Sequence, residues 1–177
     1  MIPITYLDHL QKVNSGSLAF YPRDRLESDL AAGRVIACED NGEPAGYLWH
    51  GPVHHGRDVT VYQACVDFDA RRQHLGLGMV EGLIAAARTG GATGVRLRCR
   101  SSIEANAFWR ELGFYCVNVT PGGVRRGAML NHYRLDLMAP LFVVDSVSPS
   151  TQANDHREYR ALKRLGVPMP SRFSRTA

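Results

Sequence analysis

The chain has 177 residues, which favours a single domain, and 45% of them are apolar, which is enough for a hydrophobic core. It holds no run of about 18 apolar residues, so we expect no membrane span, and its N-terminus lacks the basic and apolar regions of a secretory signal. The net charge of +4 is carried by residues 151–177, which hold six basic and two acidic side chains and so hint at an anionic partner.

The N-terminal segment is predicted to contain two short helices. Residues 1–7 suggest a short strand, and residues 7–13 have the apolar spacing of a short helix. A second helix starts at Pro22, because proline suits the first helical turn, and it ends at Gly33.

Residues 34–39 and 45–50 are predicted to pair as a hairpin. Both segments are apolar and strand-like, and Asn41-Gly42 between them tolerates positive φ at both central positions of a tight turn.

Neither the histidines nor the cysteines have the spacing of metal ligands. His50, His54 and His55 lie close together in sequence, but no cysteine at ligand spacing and no helix accompanies them, so we expect no metal site. The cysteines are widely spaced in strand-like segments without a Cys-x-x-Cys pair, which predicts reduced core thiols in a cytoplasmic protein. These cysteines are Cys38, Cys65, Cys99 and Cys116.

The centre of the chain has the pattern of a strand, a glycine-rich loop and a helix. In residues 59–68 the apolar alternation slips by one position at Tyr62-Gln63, which predicts a β-bulge. The loop 73–78 follows, and a helical pattern begins at Met79. A helix N-terminus carries unpaired N–H groups and partial positive charge, and successive loop amides form an anion-binding nest. The loop is therefore predicted to bind phosphate.

The spacing of the glycines excludes two common phosphate loops. A dinucleotide-binding loop requires Gly-x-Gly-x-x-Gly, but Gly82 comes one residue too late after Gly76 and Gly78. A P-loop ends in Gly-Lys-Ser/Thr, and that sequence is absent.

Residues 95–100 alternate with the period of a strand. The apolar side chains face one way, whereas Arg96, Arg98 and Arg100 face the other. Two interpretations of the arginine face remain open at this stage. It is either a sheet face covered by water or paired acids, or an anion-binding wall.

The remaining elements complete a mixed fold. Ser101 and Glu104 have the spacing of a capping box at a helix start, and this helix ends at Gly113. Strands are predicted at 114–119 and 132–137 on either side of a loop. Two hairpins and two crossover helices indicate an α/β or α+β domain with a mixed sheet.

Two segments resemble signatures of the GNAT (Gcn5-related N-acetyltransferase) superfamily. The loop 73–78 has the form Gln/Arg-x-x-Gly-x-Gly, which in that superfamily binds the pyrophosphate of an acyl-coenzyme A. The segment 102–114, SIEANAFWRELGF, is similar to the second signature, Asn-x-x-Ala followed by Phe-Tyr-x-x-x-Gly-Phe. The similarity covers residues 34–138. It implies a GNAT-like mixed, mostly antiparallel sheet with splayed central strands flanked by helices in residues 1–138, with residues 139–177 as a basic C-terminal extension.

The resemblance also implies acetyl-CoA as co-substrate and a site for it. The central strand and a parallel neighbour, expected at 114–119, would splay apart and leave main-chain groups free for the pantetheine amides. The cofactor-binding residues implied in this way are Val66, Asp67, Phe68, Gln73, His74, Leu75, Gly76, Leu77, Gly78, Met79, Ser102, Ala105 and Trp109.

The catalytic positions depart from the family pattern. Trp109 stands where a tyrosine often protonates the departing thiolate, and an indole N–H has no useful acidity. Ser102 replaces the usual asparagine of the second signature. The position of the base glutamate corresponds to Tyr62, and Asp67 stands where a small or apolar residue is usual. Tyr62 and Asp67 are therefore the candidate proton carriers.

Three functions remain open from the sequence. The first is an N-acetyltransferase of a small-molecule or peptide amine. The second is a nucleic-acid-directed, phage-type DNA-modifying GNAT, which the basic tail and the arginines favour; these are Arg96, Arg98, Arg100, Arg125 and Arg126. The third is a non-catalytic binding module with a GNAT fold, which Trp109 and the uncertain base favour.

Overall fold

The computed structural model describes residues 2–122 and 127–137. The helices are α1 (Ile4–Val13), α2 (Arg23–Ala31), α3 (Leu75–Thr89) and α4 (Ala105–Glu111). The strands are β1 (Val35–Asp40), β2 (Glu43–His50), β3 (Asp58–Val66), β4 (Gly94–Arg100), β5 (Tyr115–Pro121) and β6 (Met129–Asp136). The proposed C-terminal extension, and Arg125 and Arg126, lie outside the described residues.

The six strands form one sheet in the order β1-β2-β3-β4-β6-β5. Neighbours are antiparallel except β3 and β4, which run parallel. One face packs on α3 and α4 around residues such as Leu83 and Val95, and the other packs on α1 and α2 around Leu7 and Trp49. The predicted mixed, mostly antiparallel sheet flanked by helices is confirmed.

Local predictions hold where backbone geometry depends on one residue type. The hairpin is confirmed, because Asn41 and Gly42 have φ of 52° and 85°. Gly33, with φ of 69°, follows the end of α2 as predicted. Two other predictions were wrong. Residues 4–7 belong to a helix and not to a strand, and α4 begins at Ala105 without a side-chain cap, so the predicted capping box does not form.

The cysteines occupy different environments. Cys65 and Cys99 are buried, and burial raises the pKa of each thiol to about 11, so both remain protonated at neutral pH. Cys38 is half-buried, whereas Cys116 is exposed on the edge strand β5. The prediction of a core thiol was therefore wrong for Cys116, because β5 is exposed on both faces and an apolar alternation does not show which strand lies at an edge.

Gln63 connects the central strand to the segment between α1 and α2. Its side chain is 3% exposed. Its Nε2 donates to Gln11 Oε1 at 2.6 Å and to the Ala19 carbonyl, and its Oε1 accepts from the Tyr47 hydroxyl at 2.7 Å. This network holds the segment that carries Ala19 and Tyr21 against β3.

Replacing Gln63 with leucine is expected to destabilise the fold. The substitution removes the partners of buried polar groups, and each group left unsatisfied costs about 1–3 kcal/mol. Denaturant unfolding of the Gln63→Leu variant measures this loss, and Gln73→Leu, at an exposed glutamine, is the matched control. A Gln63→Leu variant as stable as the control would contradict the structural role of this network.

The buried imidazole of His50 predicts how stability depends on pH. His50 is 5% exposed, with Nδ1 2.7 Å from the Gly51 carbonyl oxygen, and burial lowers its pKa from the ordinary value of 6.5. Below pH 6.5 the His50 imidazole of the unfolded chain binds a proton, whereas the buried imidazole of the folded protein stays neutral until the pH reaches its lower pKa. The stability that depends on a neutral His50 is therefore complete above pH 6.5 and decreases as the pH falls toward the folded pKa.

We expect this residue to contribute a slope of at most about 1.4 kcal/mol per pH unit to the free energy of unfolding. Denaturant unfolding in a series from about pH 7.5 to about pH 5.5 measures the slope around the reference value. His50→Asn should flatten it, whereas the exposed His54→Asn should not. An equal slope in the wild type and in His50→Asn would show that another group controls this range.

Candidate active site

The two central strands separate partway along their length. β3 and β4 pair from Asp58 with Gly94 as far as Val61 with Leu97. Beyond this point β3 stays paired with β2 as far as Val66, and β4 stays paired with β6 as far as Arg100. The result is a fork whose two arms are residues 62–66 and residues 98–100.

The parallel partner of the central strand differs from the predicted one. The prediction placed it at 114–119, but this segment is β5, which lies at the edge of the sheet and, among the described strands, pairs only with β6. The returning strand of that hairpin, β6, inserts beside β4. The sequence shows the hairpin but not which of its strands joins the sheet, so this prediction was wrong.

A bulge in β3 lies at the fork, as predicted. Trp49 pairs with Gln63 and His50 pairs with Val61, so Tyr62 has no partner on β2. The Tyr62 ring packs against Tyr21 and Trp49 at centroid distances of 5.7 and 5.5 Å. Tyr62 therefore lies on the α1–α2 face of the sheet, immediately beyond the last β3–β4 pair.

The main-chain groups of β3 alternate between β2 and the fork. The Asp67 amide donates to the Ala45 carbonyl at 2.8 Å, so the main-chain groups of Val66 and Ala64 point away from β2, toward the fork. The Val66 carbonyl accepts from Arg71 Nε at 3.2 Å. The Asp67 amide, expected to face the cofactor, is thus already paired with Ala45.

Phe68 begins a short 3-10 turn, Phe68–Ala70, and its side chain is 75% exposed. The Arg71 guanidinium lies 5.2 Å from the centre of its ring. The turn leads the chain from β3 into the loop that precedes α3.

The loop before α3 presents unpaired amides. Arg72 and His74 have φ of 67° and 61°, and α3 begins at Leu75, one turn earlier than the predicted start at Met79. Within the described residues, none of the amides from 72 to 77 donates a hydrogen bond, whereas the Gly78 amide donates to the His74 carbonyl at 3.1 Å. The helix N-terminus therefore has free donors and partial positive charge.

Two glycines of the loop have different surroundings. A Cβ on Gly76 would lie 3.2 Å from the Phe108 ring, which is tight, so this glycine allows α3 to approach α4 closely. A Cβ on Gly78 would meet nothing within 4 Å. Gly76 therefore allows α3 and α4 to pack closely, whereas Gly78 leaves open space beside the free amides.

The second signature follows the β4 arm of the fork, residues 98–100. Ser102 is exposed in the turn after β4, and Ala105 is the first residue of α4. Trp109 is 5% exposed, and its ring packs at 5.0 Å from Phe108 and 5.2 Å from Phe114. The indole thus belongs to the hydrophobic core on the α3–α4 face.

Asn106 is a residue that the sequence analysis missed. It is 7% exposed, and its Nδ2 donates to the carbonyls of Arg100 and Ile103, each at 2.7 Å. Its Oδ1 accepts from Asn131 Nδ2 at 2.8 Å and from the Tyr133 hydroxyl at 3.2 Å. Asn106 therefore fixes the C-terminal end of β4, at the tip of the 98–100 arm of the fork. Its position inside the second signature was the only available signal.

A cleft of about 740 Å³ lies on the α1–α2 face of the sheet. Tyr62 lines it, and so do polar and charged side chains of β3, β4 and β6, which are Asp58, Thr60, Arg96, Arg98, Arg100, His132 and Arg134. Asp67 instead lines a depression of about 190 Å³ together with Asp40, Glu43 and Asp69. The structure therefore places the two candidate proton carriers in different surroundings.

Asp58 is the one carboxylate among the described residues that line the cleft, and it is already engaged. Asp58 accepts from Arg134 Nε at 3.0 Å and from Thr93 Oγ1 at 2.8 Å. The hydrogen bond from Arg134 and, to a lesser extent, that from Thr93 lower the pKa of Asp58. An ionised, paired carboxylate with a lowered pKa is poorly suited to accept a proton near neutral pH.

His132 is another side chain of the lining that the sequence analysis did not select. Its Nε2 lies 2.8 Å from Thr120 Oγ1 across the β5–β6 hairpin. No sequence pattern indicates this role, because the place of His132 in the cleft depends on β6 pairing with β4.

In residues 2–122 and 127–137 no three histidine, cysteine or acidic side chains are grouped as metal ligands. The same part of the chain has no helix of the length and apolarity needed to cross a membrane. A cytoplasmic location stays a prediction.

The model of the acetyltransferase (GNAT) family matches residues 4–114. This chain belongs to the GNAT family. The match spans the forked strands, the α3 loop and all of α4. None of the curated proteins matches this GNAT chain.

Solved structures share the GNAT fold. Ard1 from Thermoplasma volcanium is 13% identical with a TM-score of 0.66, covering 78% of this chain and 95% of its own. The ribosomal-protein-S18-alanine N-acetyltransferase from Escherichia coli is 22% identical with a TM-score of 0.61, covering 80% and 95%. N-acetylglutamate synthase from Neisseria gonorrhoeae, complexed with coenzyme A and N-acetyl-glutamate, is 16% identical with a TM-score of 0.61 and covers 77% of this chain but 33% of its own.

Proposed function

We propose that this protein is an acetyl-CoA-dependent N-acetyltransferase that acts on an amine. The observation that carries the proposal is the open fork between β3 and β4 beside a helix N-terminus with free amides. A fork leaves main-chain groups without a strand partner, and an amide-bearing ligand can satisfy them. Coenzyme A in the structures of related folds, such as N-acetylglutamate synthase, supports the choice of cofactor.

The chain offers two groups of contacts for the cofactor. The amides of residues 73–77, at the start of α3, would hold the diphosphate through hydrogen bonds and the positive end of the helix dipole. Val66 and Ala64 would offer main-chain groups along the fork. The fork is open to the cleft on the opposite face, where the amine would bind.

Bound acetyl-CoA supplies an acetyl thioester, which a neutral amine attacks with release of a thiolate. A main-chain N–H of β3 at the fork would stabilise the negative charge on the thioester oxygen, a type of contact worth about 3 kcal/mol. Holding amine and thioester together supplies much of the remaining acceleration. Trp109 donates no proton in this scheme, because its indole lies in the core.

Tyr62 is the proposed proton carrier. The residue lies at the bulge beside the fork and lines the cleft, its hydroxyl lies beside Gly51 at the end of β2, and this hydroxyl has no hydrogen bond among the described residues. It can relay the amine proton through water, by passing its own proton on toward the departing thiolate as it takes up the proton from the amine. Asp67 is less suited, because it lies in the separate acidic depression.

Two measurements test the proposed function. Acetyl-CoA should raise the melting temperature of the protein in a concentration-dependent manner, and a panel of amines with acetyl-CoA should release free thiol. Stabilisation without thiol release by any amine would favour a non-catalytic GNAT module. No stabilisation by acetyl-CoA would contradict the cofactor site itself.

A further inference from the structure

Three arginines project from β4 into the cleft without a carboxylate partner. Arg96, Arg98 and Arg100 lie on one face of the strand, opposite the buried Leu97 and Cys99. Among the described residues, none of the three forms a salt bridge. In the described part of the chain the face is therefore not covered by paired acids, which leaves a face covered by water and an anion-binding wall as the open interpretations.

The three arginine side chains differ in how many of their hydrogen-bond donors are already used. Arg100 donates to the Gly16 carbonyl and so holds the segment between α1 and α2. Arg96 Nε donates to Thr60 Oγ1 at 2.9 Å, which leaves most of its guanidinium donors unused. Arg98 makes no hydrogen bond within the described residues, and both Arg96 and Arg98 are exposed.

The positive charge of Arg96 lies where it destabilises the fold. Arg96 pairs across the sheet with Arg134, and like charges directly opposite each other are destabilising. Arg134 is compensated by Asp58 and Asp136, at 3.0 and 2.5 Å. Neither Arg96 nor Arg98 forms a salt bridge with a described carboxylate, and Asp58, which interacts electrostatically with Arg96, is itself paired with Arg134, so positive charge in the cleft is available to a ligand.

Arg98 lies next to the reacting position. Leu97 forms the last β3–β4 pair with Val61, so Arg98 is the first residue of the β4 arm of the fork. Tyr62 occupies the corresponding position on β3 and lines the same cleft. A molecule held by Arg96 and Arg98 would therefore have its other end close to the fork and to Tyr62.

We propose that the acceptor amine carries a carboxylate or phosphate group, which Arg96 and Arg98 bind; this inference rests on the proposed function. A guanidinium presents donors in a fork that matches the oxygens of a carboxylate or phosphate. A cleft lined by positive charge repels cationic amines and also favours the neutral, nucleophilic form of the bound amine. The volume of about 740 Å³ suits a small molecule.

The test uses matched amines that differ in the anionic group. O-phosphoethanolamine is compared with ethanolamine, and β-alanine with 3-aminopropanol, while spermidine represents cationic amines. The first readout is thermal stabilisation of the protein in the presence of coenzyme A, and the second is thiol release from acetyl-CoA. We expect the anionic member of at least one pair to stabilise the protein and to have a kcat/KM at least 100-fold above its neutral partner.

Substitutions of the two arginines test whether they cause the preference for anionic amines. Arg98→Gln and Arg96→Gln should each reduce the preference for the anionic amine at least tenfold, while acetyl-CoA stabilises both variants as it does the wild type. Arg88→Gln, an exposed arginine in the last turn of α3, is the matched control and should change neither readout.

Several results would overturn the proposal. They are an equal or greater response to neutral amines or spermidine, no response to any amine of the panel, or a preference that survives both cleft substitutions. A single-stranded oligonucleotide that binds with a steep salt dependence while the small anions do not would instead favour the nucleic-acid-directed function. If acetyl-CoA stabilises the protein in these experiments, the proposed cofactor site stands whatever the outcome for the acceptor.

Discussion

Replacing Gly78 with aspartate is expected to weaken acetyl-CoA binding at least tenfold without destabilising the fold. A Cβ at this position meets no atom within 4 Å, and an acidic residue in the first turn of a helix is favourable. The new carboxylate would lie within a helical turn of the free amides that are proposed to hold the diphosphate. Repulsion at about 6 Å costs about 1–3 kcal/mol, depending on the local dielectric.

The matched control is the same substitution one turn further along α3. Gly82 is also exposed, and a Cβ there makes only an ordinary contact, 3.9 Å from Ile36. Calorimetric titration with acetyl-CoA and denaturant unfolding should be carried out on both variants. Equal affinities in Gly78→Asp and Gly82→Asp would place the diphosphate away from this helix N-terminus.

Replacing Tyr62 with phenylalanine is expected to lower kcat by about 100-fold or more, the range of general acid–base catalysis. The ring would keep its contacts with Tyr21 and Trp49 and its position 4.5 Å from the Arg25 guanidinium, so the variant removes only the hydroxyl. Steady-state thiol release with a saturating amine measures the effect. The affinity for acetyl-CoA should remain that of the wild type.

Asp67→Asn is the comparison that separates the two candidate proton carriers. Its carboxylate lies in the depression with Asp40, Glu43 and Asp69, so we expect an unchanged dependence of kcat on pH. If Asp67→Asn loses the acidic limb of the pH profile while Tyr62→Phe keeps it, the proton is carried by Asp67 and the assignment of Tyr62 is wrong.

The sequence was sufficient for features that one residue type or one short pattern determines. Asn41-Gly42 predicted a hairpin because few other residue pairs accept positive φ at both positions. The slip in alternation at Tyr62-Gln63 predicted the bulge because a single extra residue changes which face every later side chain occupies.

Features that depend on pairing between distant segments were not predictable. The partner of β3 was assigned to 114–119, but strand order follows from how the β5–β6 hairpin docks on β4. The same docking brings His132 into the cleft and joins Tyr133, on the opposite face of the sheet, to Asn106. Trp109 was assigned to the cofactor by its position in the signature; its ring packs in the core with Phe108 and Phe114, and its contact with the cofactor stays a prediction.

A crystal structure of the protein with acetyl-CoA is the most direct test of the forked-strand site. It should show diphosphate oxygens within about 3 Å of amides at the start of α3, and the pantetheine between the arms 62–66 and 98–100. Acetyl-CoA bound elsewhere, or a fork that closes into a continuous β3–β4 ladder in its presence, would contradict acetyl transfer at this site.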